Sequence, residues 1–104
     1  MLEIHRIIFT PRSRAEIAEI VEYIEQDSPE NASAVARRVT AAIESLAQLP
    51  RRYRVHEHRR DSSLTVHSMP VPPYIIYYRV DDASHTINIL SVRHGARRQP
   101  KRFR

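Results

Sequence analysis

The stretch PYIIYYRVDDASHTINILSVRHGARR, residues 73–98, decides the fold. Two runs rich in β-branched and aromatic residues, YIIYYRV (74–80) and TINILSV (86–92), flank the short polar break DDASH (81–85). Runs of this composition around a turn-forming break predict two strands paired antiparallel. The second run closes in Arg93, His94 and Gly95, and the chain then continues in a tail that is mostly cationic. Strand pairing alone gives no reason for that ending.

Upstream of the hairpin, SLTVHSM (63–69) predicts a further strand and PVPP (70–73) a stiff connection. Residues 50–62 are polar and basic, and read as a loop with room for a turn of helix or an edge. At the other end of the chain, LEIHRIIF (2–9) reads as a strand. Thr10-Pro11 follows, an N-cap residue with proline at the first helical position. Ile17, Ile20, Val21 and Ile24 then recur at one-face helical spacing, with Glu16, Glu19, Glu22 and Glu25 opposite, to about Gln26. Ser28-Pro29-Glu30 repeats the cap and adds an acid to the first turn. Ala32, Val35, Ala36, Val39, Ile43 and Leu46 make the next stripe, which stops before Pro50. Two helices so closely joined predict an antiparallel hairpin, packed tightly through Ala32, Ala36, Ala42 and Ala47. The order is β-α-α-β-β-β: a small α+β fold, with an antiparallel-rich sheet and an N-terminal helical hairpin on one face.

At 104 residues the chain is read as a single domain, with the basic tail at about 95–104. It contains no cysteine, so disulfides and thiol chemistry are excluded. Its six histidines are scattered without metal-ligand spacing, and neither a metal nor a cofactor is expected. No apolar run reaches membrane-spanning length and the N-terminus lacks signal-peptide order, so the expectation is a cytoplasmic protein with no membrane partner. Net charge is +5. It is unevenly spread: residues 1–50 hold five Arg against eight Asp/Glu, whereas residues 51–104 hold twelve Lys/Arg against four. The cations gather in RRYRVHEHRR (51–60) and RHGARRQPKRFR (93–104), which points to an anionic partner.

FTPRSRAEIAEIVEYIEQDSPENA (9–32) resembles the opening of the RelE/ParE family of bacterial toxins, where a first strand meets a Thr/Ser-Pro step and an acidic helix. Residues 73–98 resemble that family's ending, with a Tyr-rich strand running into Arg-Val, a short turn, and an apolar strand closing in His-Gly. The resemblance covers nearly the whole chain, in order. It implies a helical hairpin on a sheet of about four strands. It also implies the toxin of a type II toxin–antitoxin pair, a group that includes plasmid-stabilisation proteins, bound in a hetero-oligomer by a cognate antitoxin. An acidic or amphipathic antitoxin segment would suit a positive surface beside an apolar groove.

The family holds two activities: RelE-like members cut mRNA inside the ribosome, and ParE-like members poison DNA gyrase. Cutting RNA by 2′-hydroxyl attack needs a base, an acid and cations at the phosphate. The lysines that RelE-like members place on the second strand are missing from SLTVHSM, whose only ionisable residue is His67, read as a surface position. Ile75 follows Tyr74 where the nuclease pattern has arginine, and Phe103 sits where a tyrosine would be wanted. The remaining catalytic candidates are Arg79, on one strand face with Ile75 and Tyr77, and His94, with Glu57 and His58 as possible helpers from the loop. Each has a plainer reading: an ion pair of Arg79 with Asp81 or Asp82, and a strand-end His94 packed on tyrosine. Tyr74, Tyr77 and Tyr78 read as packing residues rather than a base-stacking platform. These departures favour the ParE-like activity, with Arg93, His94, Arg97, Arg98, Lys101 and Arg102 as the target-binding set. A toxin-fold binding module without activity is the third reading.

Overall fold

Thr10 and Ser28 start the helices as their sequence contexts predict. In the computed structural model, which describes residues 4–48, 50–51, 53–57, 60 and 64–95, the Thr10 hydroxyl accepts the Ser13 N–H at 3.1 Å. The Ser28 hydroxyl accepts the Asn31 N–H at 3.3 Å. Each cap satisfies one of the orphan donors of a first helical turn, and the following proline has no N–H to satisfy. The elements are β1 (Arg6–Phe9), α1 (Pro11–Glu25), α2 (Pro29–Ser45), β2 (Val55–Glu57), β3 (Val66–Val71), β4 (Tyr74–Asp81) and β5 (Thr86–His94).

The strands form one sheet in the order β1-β5-β4-β3-β2. β1 runs parallel to β5, and the other pairs are antiparallel. This is the expected α+β arrangement with one strand more: the basic segment after α2 supplies the short edge β2. Two boundaries move for physical reasons. β1 begins at Arg6, because the His5 N–H turns to the Ala47 carbonyl at 2.9 Å while the Arg6 N–H takes the His85 carbonyl at 2.7 Å; Leu2 and Glu3 of the expected strand lie outside the described residues. β3 includes Pro70 and Val71, which the sequence assigns to the connection. Among the described residues β2 pairs with Val66 and His67, and the Arg54 carbonyl accepts the Ser68 N–H just beyond them. Pro70 therefore falls on an edge where its missing N–H costs no ladder bond.

Val39 and Ile43 of α2 and Leu46 at its C-cap pack with Met69, Ile76, Tyr78, Ile87 and Ile89 of the sheet, and Ile17 and Ile20 of α1 close the same core. Full burial of a side chain such as Ile43 contributes about 1.5–3 kcal/mol. Alternation along β4 sends Tyr74, Ile76, Tyr78 and Val80 toward this core. Tyr77 and Ile75 join Val66 and Leu90 in a second cluster. β4 is apolar on both faces, which is why it reads as an almost unbroken apolar run. The β4–β5 turn is held by the Asp81 carboxylate, which accepts the Ala83 N–H at 3.0 Å. His85 sits there at φ 52°, in the left-handed region that histidine enters more readily than most non-glycine residues.

Candidate functional site

β5 outruns its parallel neighbour. Pairing with β1 stops at Phe9 opposite Ile89, but β5 continues to His94. At this point β5 also carries one extra residue: Tyr78 lies opposite Ile89 and Tyr77 opposite Ser91, leaving Leu90 as a bulge. Thr10 secures the junction. Its N–H donates to the Ile89 carbonyl at 3.1 Å, and its hydroxyl reaches the carbonyls of Ile89 and Leu90 at 2.9 and 3.2 Å.

Beyond the bulge, a side chain of α1 takes the place of a neighbouring strand. The Glu16 carboxylate accepts the Ser91 hydroxyl at 2.7 Å and the Val92 N–H at 3.2 Å through one oxygen. Its other oxygen lies 3.7 Å from Arg12 Nε and 4.0 Å from Arg93 Nη1. An unpaired strand N–H in a half-buried place is costly, and a carboxylate is a strong acceptor for it.

The end of β5 then forms one wall of a groove of about 580 Å³. Tyr74, Val92, Arg93 and His94 face Glu16, Glu19, Ile20, Tyr23 and Ile24 of α1 across it. The His94 ring stands edge-on to Tyr74 with centroids 5.7 Å apart, the plainer strand-end arrangement considered for it. His94 is exposed, whereas Arg93 is partly buried and its Nε has no hydrogen-bond partner among the described residues. Burial raises the Tyr77 phenol above its ordinary pKa, and the nearby Arg93 charge partly offsets that rise. The strand is closed by Gly95, whose N–H donates to the Pro73 carbonyl at 2.7 Å. A Cβ there would sit 3.1 Å from the same oxygen, so glycine suits the close approach.

The structure separates the two catalytic candidates. His94 pairs with Tyr74 at one end of the hairpin, and Arg79 pairs with Asn88 and Val66 toward the other. Five residues of strand between Tyr74 and Arg79 amount to roughly 17 Å. Arg79 Nε donates to the Leu64 carbonyl at 3.2 Å. Asp82, one of the anions considered for it, is instead shared by Arg51 Nη2 at 2.7 Å and His5 Nε2 at 3.3 Å. His67 is not the surface residue expected. It is buried, stacks on Tyr78 with centroids 5.2 Å apart, and its Nδ1 lies 3.1 Å from the Tyr53 carbonyl. Tyr74, Tyr77 and Tyr78 are buried, as packing residues would be. Glu57 lies on β2, while His58, Arg97, Arg98, Lys101, Arg102 and Phe103 fall outside the described residues. Among the described residues no group of three His, Asp or Glu is placed to hold a metal ion, and no helix is long and apolar enough to cross a membrane.

The residue that sequence reasoning missed is Glu16, placed with Glu19, Glu22 and Glu25 on the face opposite the apolar stripe. A signal for it existed. Glu16, Ile20 and Ile24 follow one another at i, i+4 and i+8, so Glu16 continues an apolar ridge.

This order of elements and this sheet have known counterparts. The family model described as the ParE toxin of the type II toxin–antitoxin system, parDE, matches residues 7–99. The chain belongs to the ParE toxin family. Toxin RelE2 of Caulobacter vibrioides is 36% identical over 93 residues, spanning 88% of this chain and 97% of that protein. Among solved structures, the toxin–antitoxin complex RelBE2 from Mycobacterium tuberculosis contains a chain 26% identical, with a TM-score of 0.56 over 88% of this toxin and 98% of that chain. The chromosomal ParDE system from P. aeruginosa contains one with a TM-score of 0.68, covering 88% and 97%; at 17% identity that likeness concerns the fold alone. The protein is thus a type II toxin–antitoxin toxin of the ParE/RelE family.

Proposed function

We propose that this toxin arrests growth in the cytoplasm by poisoning DNA gyrase, and that a cognate antitoxin neutralises it in a hetero-oligomer. The observation carrying this reading is the separation of Arg79 from His94 along the hairpin. A nuclease needs its acid, base and phosphate-binding cations around one bond. Here the groove at the end of β5 joins Arg93 and His94 to the carboxylates of α1, while Arg79 lies roughly 17 Å away along β4. Arg93 and His94 line this groove, and the sequence from 93 to 104 is strongly basic, a composition that suits gyrase together with its DNA. The apolar groove of about 540 Å³ near Phe9, Ile17, Val21 and Ile43, flanked by Arg14 and Glu22, suits an amphipathic antitoxin segment.

The test is a supercoiling and cleavage-complex assay with purified toxin, with and without the antitoxin. Inhibited supercoiling or trapped cleaved DNA, reversed by antitoxin, is the expected result. Unaffected gyrase would remove this reading. One observation favours ribosome-dependent mRNA cleavage instead: an exposed imidazole beside a guanidinium at the mouth of a groove. Cleavage of ribosome-bound mRNA that is lost in His94→Ala would establish that alternative. A chain that arrests growth under neither mechanism would be the inactive binding module.

A further inference from the structure

We infer that Glu16 is a positioning residue, which substitutes for the absent neighbour strand and fixes the direction in which the end of β5 presents Arg93 and His94. This deepens the target-binding reading above, but it holds for either target, because both need the same strand end. Four observations carry it. The parallel ladder stops at Ile89, leaving five further residues of β5 without β1 beside them. The bulge at Leu90 redirects the strand just there, and a bulged strand bends. One Glu16 oxygen then holds the first two residues past the bulge, Ser91 by its hydroxyl and Val92 by its N–H. Finally, Ser91 and Val92 are buried, so water does not readily replace the lost acceptor.

Glu16 is itself held in place. It lies one helical turn from Arg12 and on the same ridge as Ile20 and Ile24, within a helix whose start is tied to β5 through Thr10. α1 therefore fixes β5 twice, by Thr10 before the bulge and by Glu16 after it. The essential property is the acceptor oxygen. The contact with Arg93 Nη1 is the looser one, at 4.0 Å, and the two bonds to Ser91 and Val92 carry the positioning.

The experiment uses full-length toxin with three side chains at one position: the parent, Glu16→Gln, which keeps an acceptor oxygen without the charge, and Glu16→Ala, which has neither. Growth arrest is read from graded expression, amide hydrogen exchange is read at Val92, and the melting temperature of each variant is recorded. In Glu16→Ala, exchange at Val92 is expected to speed up about tenfold or more, and arrest to need about tenfold more toxin, in a protein still folded at the growth temperature. Glu16→Gln is expected to recover most of both. Unchanged Val92 exchange in Glu16→Ala, or full potency despite faster exchange, overturns the assignment. So does a loss in Glu16→Gln equal to that in Glu16→Ala, because charge rather than edge geometry would then be the cause. Potency that falls only in proportion to the unfolded fraction overturns it as well. A parent that arrests growth without affecting gyrase sinks the gyrase reading and leaves this test intact; a parent that does not arrest growth sinks both.

Discussion

Two side chains give opposite pH signatures to the toxin's stability. Tyr78 is buried and donates its hydroxyl to the Pro50 carbonyl at 2.7 Å. Burial pushes its pKa well above the ordinary value, only partly offset by hydrogen bonding and by the Arg51 charge. An unfolded tyrosine ionises near pH 10, so the folded state binds this proton more tightly than the unfolded state. Its contribution is complete below about pH 10 and is lost as the pH rises further. Tyr78→Phe should cost about 1 kcal/mol at neutral pH and flatten the alkaline loss, as read by urea unfolding at several pH values. Asp82 works the other way. The Arg51 hydrogen bond, with a smaller contribution from His5, lowers its pKa despite some desolvation. Its stabilisation is therefore present above the ordinary carboxylate pKa of about 4 and fades as the pH falls through the lowered folded value. The pair is exposed, so Asp82→Asn should cost less than about 1 kcal/mol at pH 7 and nothing once acid has protonated the parent.

At the scale of elements, the Thr10-Pro11 step does more than begin a helix. Its capping role is legible from sequence, because Thr before Pro before an apolar helical stripe has a local physical reading. Its second role is not, because the carbonyls of Ile89 and Leu90 lie about eighty positions away along the chain. Thr10→Val keeps the β-branch but loses the cap and both long-range bonds. It should lower stability by about 1–2 kcal/mol, seen as a fall in melting temperature, and speed hydrogen exchange both in the first turn of α1 and around the bulge. A helix-only role would leave the bulge unchanged. Glu16 was misplaced for a similar reason. The spacing of Ile17, Ile20, Val21 and Ile24 identified the buried stripe, but not which flanking acid would turn toward a strand that outruns its partner.

For the whole molecule, charge is spread asymmetrically along the chain, with the cations concentrated after residue 50. The core is built from α1, α2 and the helix-facing side of the sheet, and the last of its buried members among the described residues is Val92. Removing residues 96–104 should therefore leave the melting temperature and antitoxin binding within error while abolishing growth arrest. A truncated toxin that still poisons gyrase would count against the role of that segment. Arg79, bonded to the Leu64 carbonyl, should behave as a structural residue. Arg79→Ala is expected to lose stability and potency together, whereas His94→Ala should leave the fold intact, as paired melting and growth-arrest measurements would reveal.

The sequence by itself determined the elements, because their signals are local. Caps, prolines, a 3.6-residue stripe and two β-branched runs each act within a few neighbours, and together they specified a helical hairpin and most of a sheet. It also determined where the positive charge concentrates. Tertiary structure alone decided which candidates meet. Arg79 and His94 were both catalytic candidates in the sequence, but antiparallel pairing puts residues near the turn far from residues near the strand ends. His67 looked exposed because alternation cannot reveal that Tyr53 and Tyr78 cover it. The role of Glu16 depends on where one strand stops beside another, a difference of length that exists only once β1 and β5 lie side by side.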